Sequence, residues 1–88
     1  MKHYTSLAGW DEFARLGRDE FQSCAFKDQL IAECDGNEDI AWVLFHHMGD
    51  HALEWLHKVV PALEHNVPIE LIRSGQADRV RACLWSFP

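Results

Sequence analysis

Histidines are the residues whose spacing most readily suggests chemistry in this 88-residue chain. Five fall within twenty residues, and His47 and His51 are four positions apart, a spacing that places two zinc ligands on one helical face. Gly49 and Asp50 interrupt that interval, and such a pair is typical of a break in a helix. We therefore expect the two histidines to lie on different elements, and we predict no metal ion and no other cofactor.

Catalytic groups are not arranged in any recognisable motif. The three cysteines form no CxxC pair, no nucleophile has a base at a motif spacing, and the five glycines are scattered rather than gathered into a phosphate loop. We predict that the protein is not an enzyme.

The odd cysteine count and the lack of a signal-peptide pattern favour reduced thiols and a cytoplasmic location. No apolar run approaches 18 residues, so we expect no membrane span.

The charge of the chain is uneven. Its formal net charge is −6, and residues 1–45 hold nine acidic residues against four Lys or Arg. DNA-binding proteins need a basic stripe for phosphate contacts, which this sequence lacks, so direct DNA binding is not expected. An acidic surface attracts basic proteins instead, and otherwise simply promotes solubility.

Apolar residues recur at helical intervals nearly throughout, and no segment alternates with period two. The pattern predicts an all-α fold, a small compact bundle of five to six short helices in a single domain, residues 1–88. One face runs from Trp10 to Phe21 and a second from Phe26 to Cys34. The third helix, residues 40–48, is apolar almost all round, so it is either central or half-covered by a partner. We expect Asn37 to cap it.

The acidic helices of residues 1–48 are expected to give way to a second unit, residues 50–88. Asp50 can cap its first helix, and Pro61 lies at or just beyond the end of that helix. Pro68 suits the first position of a short helix, and Ser74 is expected to cap the last one.

This second unit contains four short motifs in a fixed order. They are Trp55-Leu56, Pro61-Ala62-Leu63, Pro68-Ile69-Glu70-Leu71-Ile72 and Ser74-Gly75-Gln76-Ala77. The order resembles the C-terminal toxin-binding domain of the MbcA/ParS/Xre antitoxin family. There a helix ending in Trp-Leu precedes a Pro-Ala-Leu turn, a Pro-x-x-Leu-Leu helix and a last helix that starts with small residues. The family has a glycine-rich turn where this chain has Glu64-His65-Asn66, so we expect Asn66 to take the positive φ.

The resemblance implies an antitoxin whose partner is a RES-type toxin, a class similar to NAD-degrading enzymes. Inhibition would be steric, with the C-terminal end closing the NAD cleft. Trp85 and Phe87 are the expected anchors, because aromatic residues are enriched in interface hot spots. We predict that the C-terminal end and residues 61–72 form one continuous apolar surface. The predicted partner-binding residues are Trp55, Pro61, Leu63, Pro68, Leu71, Arg81, Trp85 and Phe87.

Other interpretations remain open from the sequence. One is a stand-alone acidic inhibitor or adaptor, for example a phage-encoded one, which binds a basic protein surface through its first half. Another is a DNA-binding regulator. A second copy of the chain is a further candidate partner, because the sequence has more large apolar side chains than so small a domain easily buries.

Overall fold

The computed structural model describes residues 7–86, and their regular structure is helical throughout. An isolated β-bridge pairs Val60 with Asn66, and no strand occurs among the described residues. The predicted all-α bundle is therefore confirmed. Its helices are α1 Trp10–Leu16, α2 Arg18–Phe21, α3 Lys27–Glu33, α4 Glu38–Met48, α5 Ala52–Leu56, α6 Pro68–Arg73 and α7 Ala77–Trp85, with 3₁₀ turns at Gly49–His51 and Pro61–Leu63.

Helix α4 lies at the centre of the bundle and packs against α1, α2, α3, α5 and α7. Its stripe of Ile40, Val43 and Leu44 is fully buried. On another side Phe45 meets Phe21 and Phe26 edge-on, with ring centroids 6.1 Å and 5.9 Å away. The nearly all-apolar composition of this helix is thus explained by its central position.

Gly17 separates α1 from α2 and allows close contact with α4. A Cβ atom at this position would lie 3.0 Å from the carbonyl oxygen of Trp42. On either side of it, Trp10, Ala14 and Phe21 are buried, as the first apolar stripe predicts. The glycine is therefore needed for space between backbones rather than for an unusual φ.

The turn between α3 and α4 differs from its expected form. Asp35 and Gly36 take positive φ, and the Asn37 side chain does not cap α4. Its amide donates instead to the Cys34 carbonyl at 2.7 Å, while its oxygen accepts from Arg81 at 2.9 Å. Asn37 does occupy the N-cap position of α4 as predicted, but its side chain makes no capping bond, because these two bonds hold it away from the helix amides.

The C-terminal helices follow the predicted order with two changes at their starts. Pro68 opens α6 as expected. Asp50 lies inside a 3₁₀ turn and makes no side-chain cap to α5. Ser74 donates to the Leu71 carbonyl at 3.1 Å, so it completes the end of α6, and α7 begins only at Ala77. The predictions that Asp50 and Ser74 act as caps are wrong.

Candidate partner-binding surface

Three of the predicted partner-binding residues lie in the core. Leu63, Pro68 and Leu71 are buried, and Leu63 and Leu71 belong to the main apolar cluster. These three side chains therefore lie beneath the protein surface and are not exposed to a partner in this conformation. Residues 61–72 therefore bury most of their apolar side chains, and within residues 7–86 they do not form the continuous apolar surface that was predicted.

The side chain of Trp85 packs against helix α1. Its ring lies 4.8 Å from that of Phe13 and meets Trp10 edge-on at 6.4 Å, centroid to centroid. It also approaches Gly9, where an added Cβ would lie 3.7 Å from the ring. Trp85 thus covers α1 and is only half-exposed. The other expected anchor, Phe87, lies outside the described residues.

Arg81 binds within the molecule. Its Nε donates to Asp39 Oδ2 at 2.7 Å, and its terminal nitrogens donate to Asn37 at 2.9 Å and Asp78 at 2.9 Å. Trp10 Nε1 donates to the same Asp39 oxygen at 2.7 Å. These residues form a polar cluster that joins α1, α4 and α7. The prediction that Arg81 contacts a partner is not supported, because its guanidinium already has three internal acceptors.

The Asp39–Arg81 pair is held in its charged form. Burial alone would raise the pKa of Asp39, but hydrogen bonds from Arg81 and Trp10 and the positive charge of Arg81 lower it below its usual value. The hydrogen bond to Asp39 in turn raises the pKa of Arg81, more than burial lowers it. The cluster therefore acts as a structural ion pair.

Among the described residues, two large apolar side chains are exposed to solvent: Leu16 on α1, and Val59 in the loop between α5 and α6, residues 57–67. Val59 is 59% exposed. Pro61 and Ala62 are exposed beside it, and Trp55 is half-buried at the end of α5. Of the predicted residues, then, Pro61 is exposed and Trp55 is partly exposed, whereas Leu63 is buried. Sequence analysis missed Val59, whose exposure follows from the end of α5 at Leu56.

The backbone of this α5–α6 loop is closed by its own hydrogen bonds. The Val60 amide donates to the Asn66 carbonyl at 3.0 Å, and the His65 amide donates back to the Val60 carbonyl at 3.1 Å. Val60 and Leu63 are buried and anchor the loop on the core. The side-chain amide of Asn66 donates to the Leu63 carbonyl at 2.9 Å. The exposed residues are thus presented by a tightly bonded backbone.

Two consecutive residues of the loop take the left-handed conformation, Glu64 with φ of 56° and His65 with φ of 65°. The prediction that Asn66 takes the positive φ is wrong, because Glu64 and His65, the two residues before it, take that conformation and complete the turn. Left-handed backbone costs a residue with a Cβ roughly 1–2 kcal/mol. Glu64 also accepts from Arg79 on α7 at 2.6 Å.

Three histidines, His46, His51 and His57, each contact one carboxylate. His46 contacts Glu20 at 2.9 Å, and His57 contacts Glu33 at 2.8 Å. His47 belongs to α4, as expected from the break at Gly49, while His51 lies in the following turn. Among residues 7–86 no group of three or more His, Cys, Asp or Glu is placed to hold a metal ion.

A groove of about 430 Å³ opens between α2, α3 and α4. Phe21, Ile31 and Trp42 supply its apolar surface. Two cationic and two anionic side chains line it, so its charge does not favour a basic or an acidic ligand. They are Arg18, Lys27, Asp28 and Glu38.

Comparison with models of known protein families gives no match, and neither do comparisons with curated proteins and with solved structures. Within the part of the chain that the structure describes, no helix has the length and apolar character needed to cross a membrane.

Proposed function

We propose that this chain is a non-catalytic, antitoxin-like protein that binds a RES-type NAD-degrading enzyme and blocks its cleft sterically. The α5–α6 loop is the contact surface. The observation that carries the proposal is the exposure of Val59, with Pro61 and Ala62 beside it, in the segment that resembles the toxin-binding domain. Both proteins would act in the cytoplasm.

The loop has the properties of an interface centre. Exposed apolar side chains gain free energy when a partner removes them from water, and full burial of a Val side chain contributes roughly 1.5–3 kcal/mol. Loops held on a rigid scaffold are common places for binding residues. Here Val60 and Leu63 fasten the loop to the core while Val59 and Pro61 remain outside.

The proposed contact lies on the α5–α6 loop, away from the C-terminal residues expected from sequence to be anchors. Trp85 lies against Phe13 and Trp10, so using it as an anchor would require it to leave α1. Val59 requires no rearrangement. The resemblance supplies the class of partner, and the exposure of the loop supplies the surface.

The test uses the full chain, a purified RES-domain enzyme and two matched variants. Val59→Asp places a charge at the proposed interface, whereas Leu16→Asp makes the same change at another exposed apolar residue, 79% exposed on α1. We expect the wild type to bind the enzyme and slow its consumption of NAD. Val59→Asp should weaken binding at least about tenfold, since a tenfold change corresponds to 1.4 kcal/mol.

Calorimetry gives the affinity, and circular dichroism tests whether both variants remain folded. A wild type that neither binds nor inhibits the enzyme would overturn the proposed partner. Equal binding by wild type and Val59→Asp would place the contact elsewhere, with the acidic first half as the next surface to test. Loss of binding by Leu16→Asp alone would point to α1.

A further inference from the structure

We infer that the exposed side of α1 and α2 around Leu16 is a second docking surface, and that it binds a basic amphipathic segment of another protein. This surface, the Leu16 face, consists of Glu12, Phe13, Leu16 and Glu20. The segment would place an apolar side chain on Leu16 and Lys or Arg beside the two glutamates. The inference goes beyond the proposed function and does not depend on it, because the α5–α6 loop lies on other elements.

The apolar centre of the Leu16 face is larger than one side chain. Leu16 is 79% exposed, against 59% for Val59. Residues three positions apart lie on the same side of a helix, so Phe13 is the neighbour of Leu16 on α1. Phe13 is half-buried, and its ring centroid lies 4.8 Å from that of Trp85 and 6.0 Å from that of His47. Leu16 therefore adjoins an aromatic cluster that itself reaches the surface.

Glutamates stand at both ends of this apolar centre. Glu12 lies four positions before Leu16 and Glu20 four positions after it, so all three share one side of the helix, and all three are exposed. The spacing holds across the α1–α2 junction, because Gly17 keeps a right-handed helical backbone with φ of −90° and ψ of −4°. The Leu16 face is thus apolar in the middle and acidic at its two ends.

The cations of the same helices point elsewhere. Arg15 and Arg18 are one and two positions from Leu16, spacings at which helical residues do not face each other. Arg18 lines the groove between α2, α3 and α4 instead. His46 of α4 contacts Glu20 at 2.9 Å, yet the Glu20 side chain remains 51% exposed. Its carboxylate is therefore accessible to a partner.

The charge of the face selects its occupant. A segment with apolar residues beside Lys or Arg removes Leu16 and Phe13 from water and pairs its cations with the glutamates. A second copy docked through the same face would set Glu12 and Glu20 against the same residues, since a two-fold contact uses one patch on both subunits. Such like charges repel. The phosphates of nucleic acids and of anionic membranes are repelled for the same reason.

The test titrates the full chain into a fluorescein-labelled synthetic peptide that carries Leu and Lys at helical spacing, and fluorescence anisotropy reports binding. Two matched peptides separate apolar from charged recognition. One has Glu in place of every Lys, and the other has Ser in place of every Leu. We expect the Leu/Lys peptide to bind at least about tenfold more tightly than either of them.

The first pair of variants tests the apolar centre. Leu16→Ser should weaken binding of the Leu/Lys peptide about tenfold, because burial of the leucine side chain is lost. Val59→Ser makes a similar change at the other exposed large apolar side chain among the described residues, and it should bind the peptide like the wild type. Circular dichroism tests whether both variants remain folded.

The second pair tests the charge. Glu12 and Glu70 are both exposed, and each is the third residue of its helix, α1 or α6. Glu12→Lys and Glu70→Lys therefore change the net charge and the charge near a helix start in the same way. We expect Glu12→Lys to bind the Leu/Lys peptide about fivefold more weakly than Glu70→Lys, an effect of the size of one exposed ion pair.

Several results would overturn the inference. They are a wild type that does not bind the Leu/Lys peptide, equal binding of the Leu/Lys and Ser/Lys peptides, and equal losses in Leu16→Ser and Val59→Ser. If light scattering shows a dimer that Leu16→Ser abolishes, the face belongs to a second copy and the proposed occupant is wrong. None of these results bears on the binding of a RES-domain enzyme through the α5–α6 loop, so the two proposals fail separately.

Discussion

Two turns of this protein are built in the same way but lie in different surroundings. In the α3–α4 turn, Asp35 is left-handed, and Asn37 donates to the carbonyl three residues earlier at 2.7 Å. In the α5–α6 loop, Glu64 and His65 are left-handed, and Asn66 makes the same type of bond at 2.9 Å. An arginine of α7 donates a hydrogen bond to each turn, Arg81 to Asn37 and Arg79 to Glu64.

The two arginines differ in how far they are removed from water. Arg81, which reaches the α3–α4 turn, has a side chain only 18% exposed, and its partner Asp39 is 24% exposed. Arg79, which reaches the α5–α6 loop, is 37% exposed, and its partner Glu64 is 84% exposed. The first ion pair is poorly screened by solvent, whereas the second lies largely in water.

The comparison separates a turn that holds the fold together from a loop that is available for binding. Around Asn37 the polar cluster connects three helices, so the α3–α4 turn is part of the tertiary structure. The α5–α6 loop depends mainly on its own backbone bonds and two buried anchors. Its outer residues make little contribution to the core and can be covered by a partner.

Removing Arg81 should have the largest effect on stability. Arg81→Ala leaves the Asp39 carboxylate half-buried without its cation, and Asn37 without its donor. We expect a loss of about 2–3 kcal/mol in the free energy of unfolding, somewhat less than for a fully buried pair. Urea denaturation measures it, with the exposed Arg73→Ala as control. A loss no larger than that of the control would show that the cluster does not stabilise the fold.

Acid should weaken the same cluster. Because the pKa of Asp39 is lowered from 3.8 in the folded protein, its ionised form stabilises the fold above that pH, and this contribution is lost as the pH falls further. The stability difference between wild type and Asp39→Asn should therefore shrink below pH 3.8. The effect should be smaller than that of Arg81→Ala, since protonated Asp39 can still accept from Trp10. A difference that stays constant down to pH 2 would contradict it.

Much of the fold follows from the sequence because it depends on short-range periodicity. The stripe from Trp10 to Phe21 and the all-round apolar character of α4 correctly indicate which faces are buried. Capping was predicted less well. The side chains of Asn37 and Ser74 both donate to a backbone carbonyl three residues earlier in the chain. Nothing in the local sequence distinguishes this arrangement from a helix cap.

The candidate site depends on tertiary contacts that spacing does not reveal. Arg81 meets Asp39, 42 positions away, and Trp85 meets α1 from the opposite end of the chain. One signal was available for the loop. Val60 precedes Pro61, and a residue before proline favours extended backbone. Helix α5 therefore has to end before Val60, and Val59 is not part of the apolar face of that helix.

The smallest expected effect concerns the exposed ion pair of the α5–α6 loop. Arg79→Ala removes the 2.6 Å contact with Glu64, yet both groups remain hydrated and screened. We expect a loss of about 0.5 kcal/mol or less in the free energy of unfolding. Added salt should hardly change the difference from wild type. If Arg79→Ala were as destabilising as Arg81→Ala, the loop would be held by α7 as firmly as the α3–α4 turn. The distinction between a structural turn and an available loop would then be lost, because the same helix would fix both.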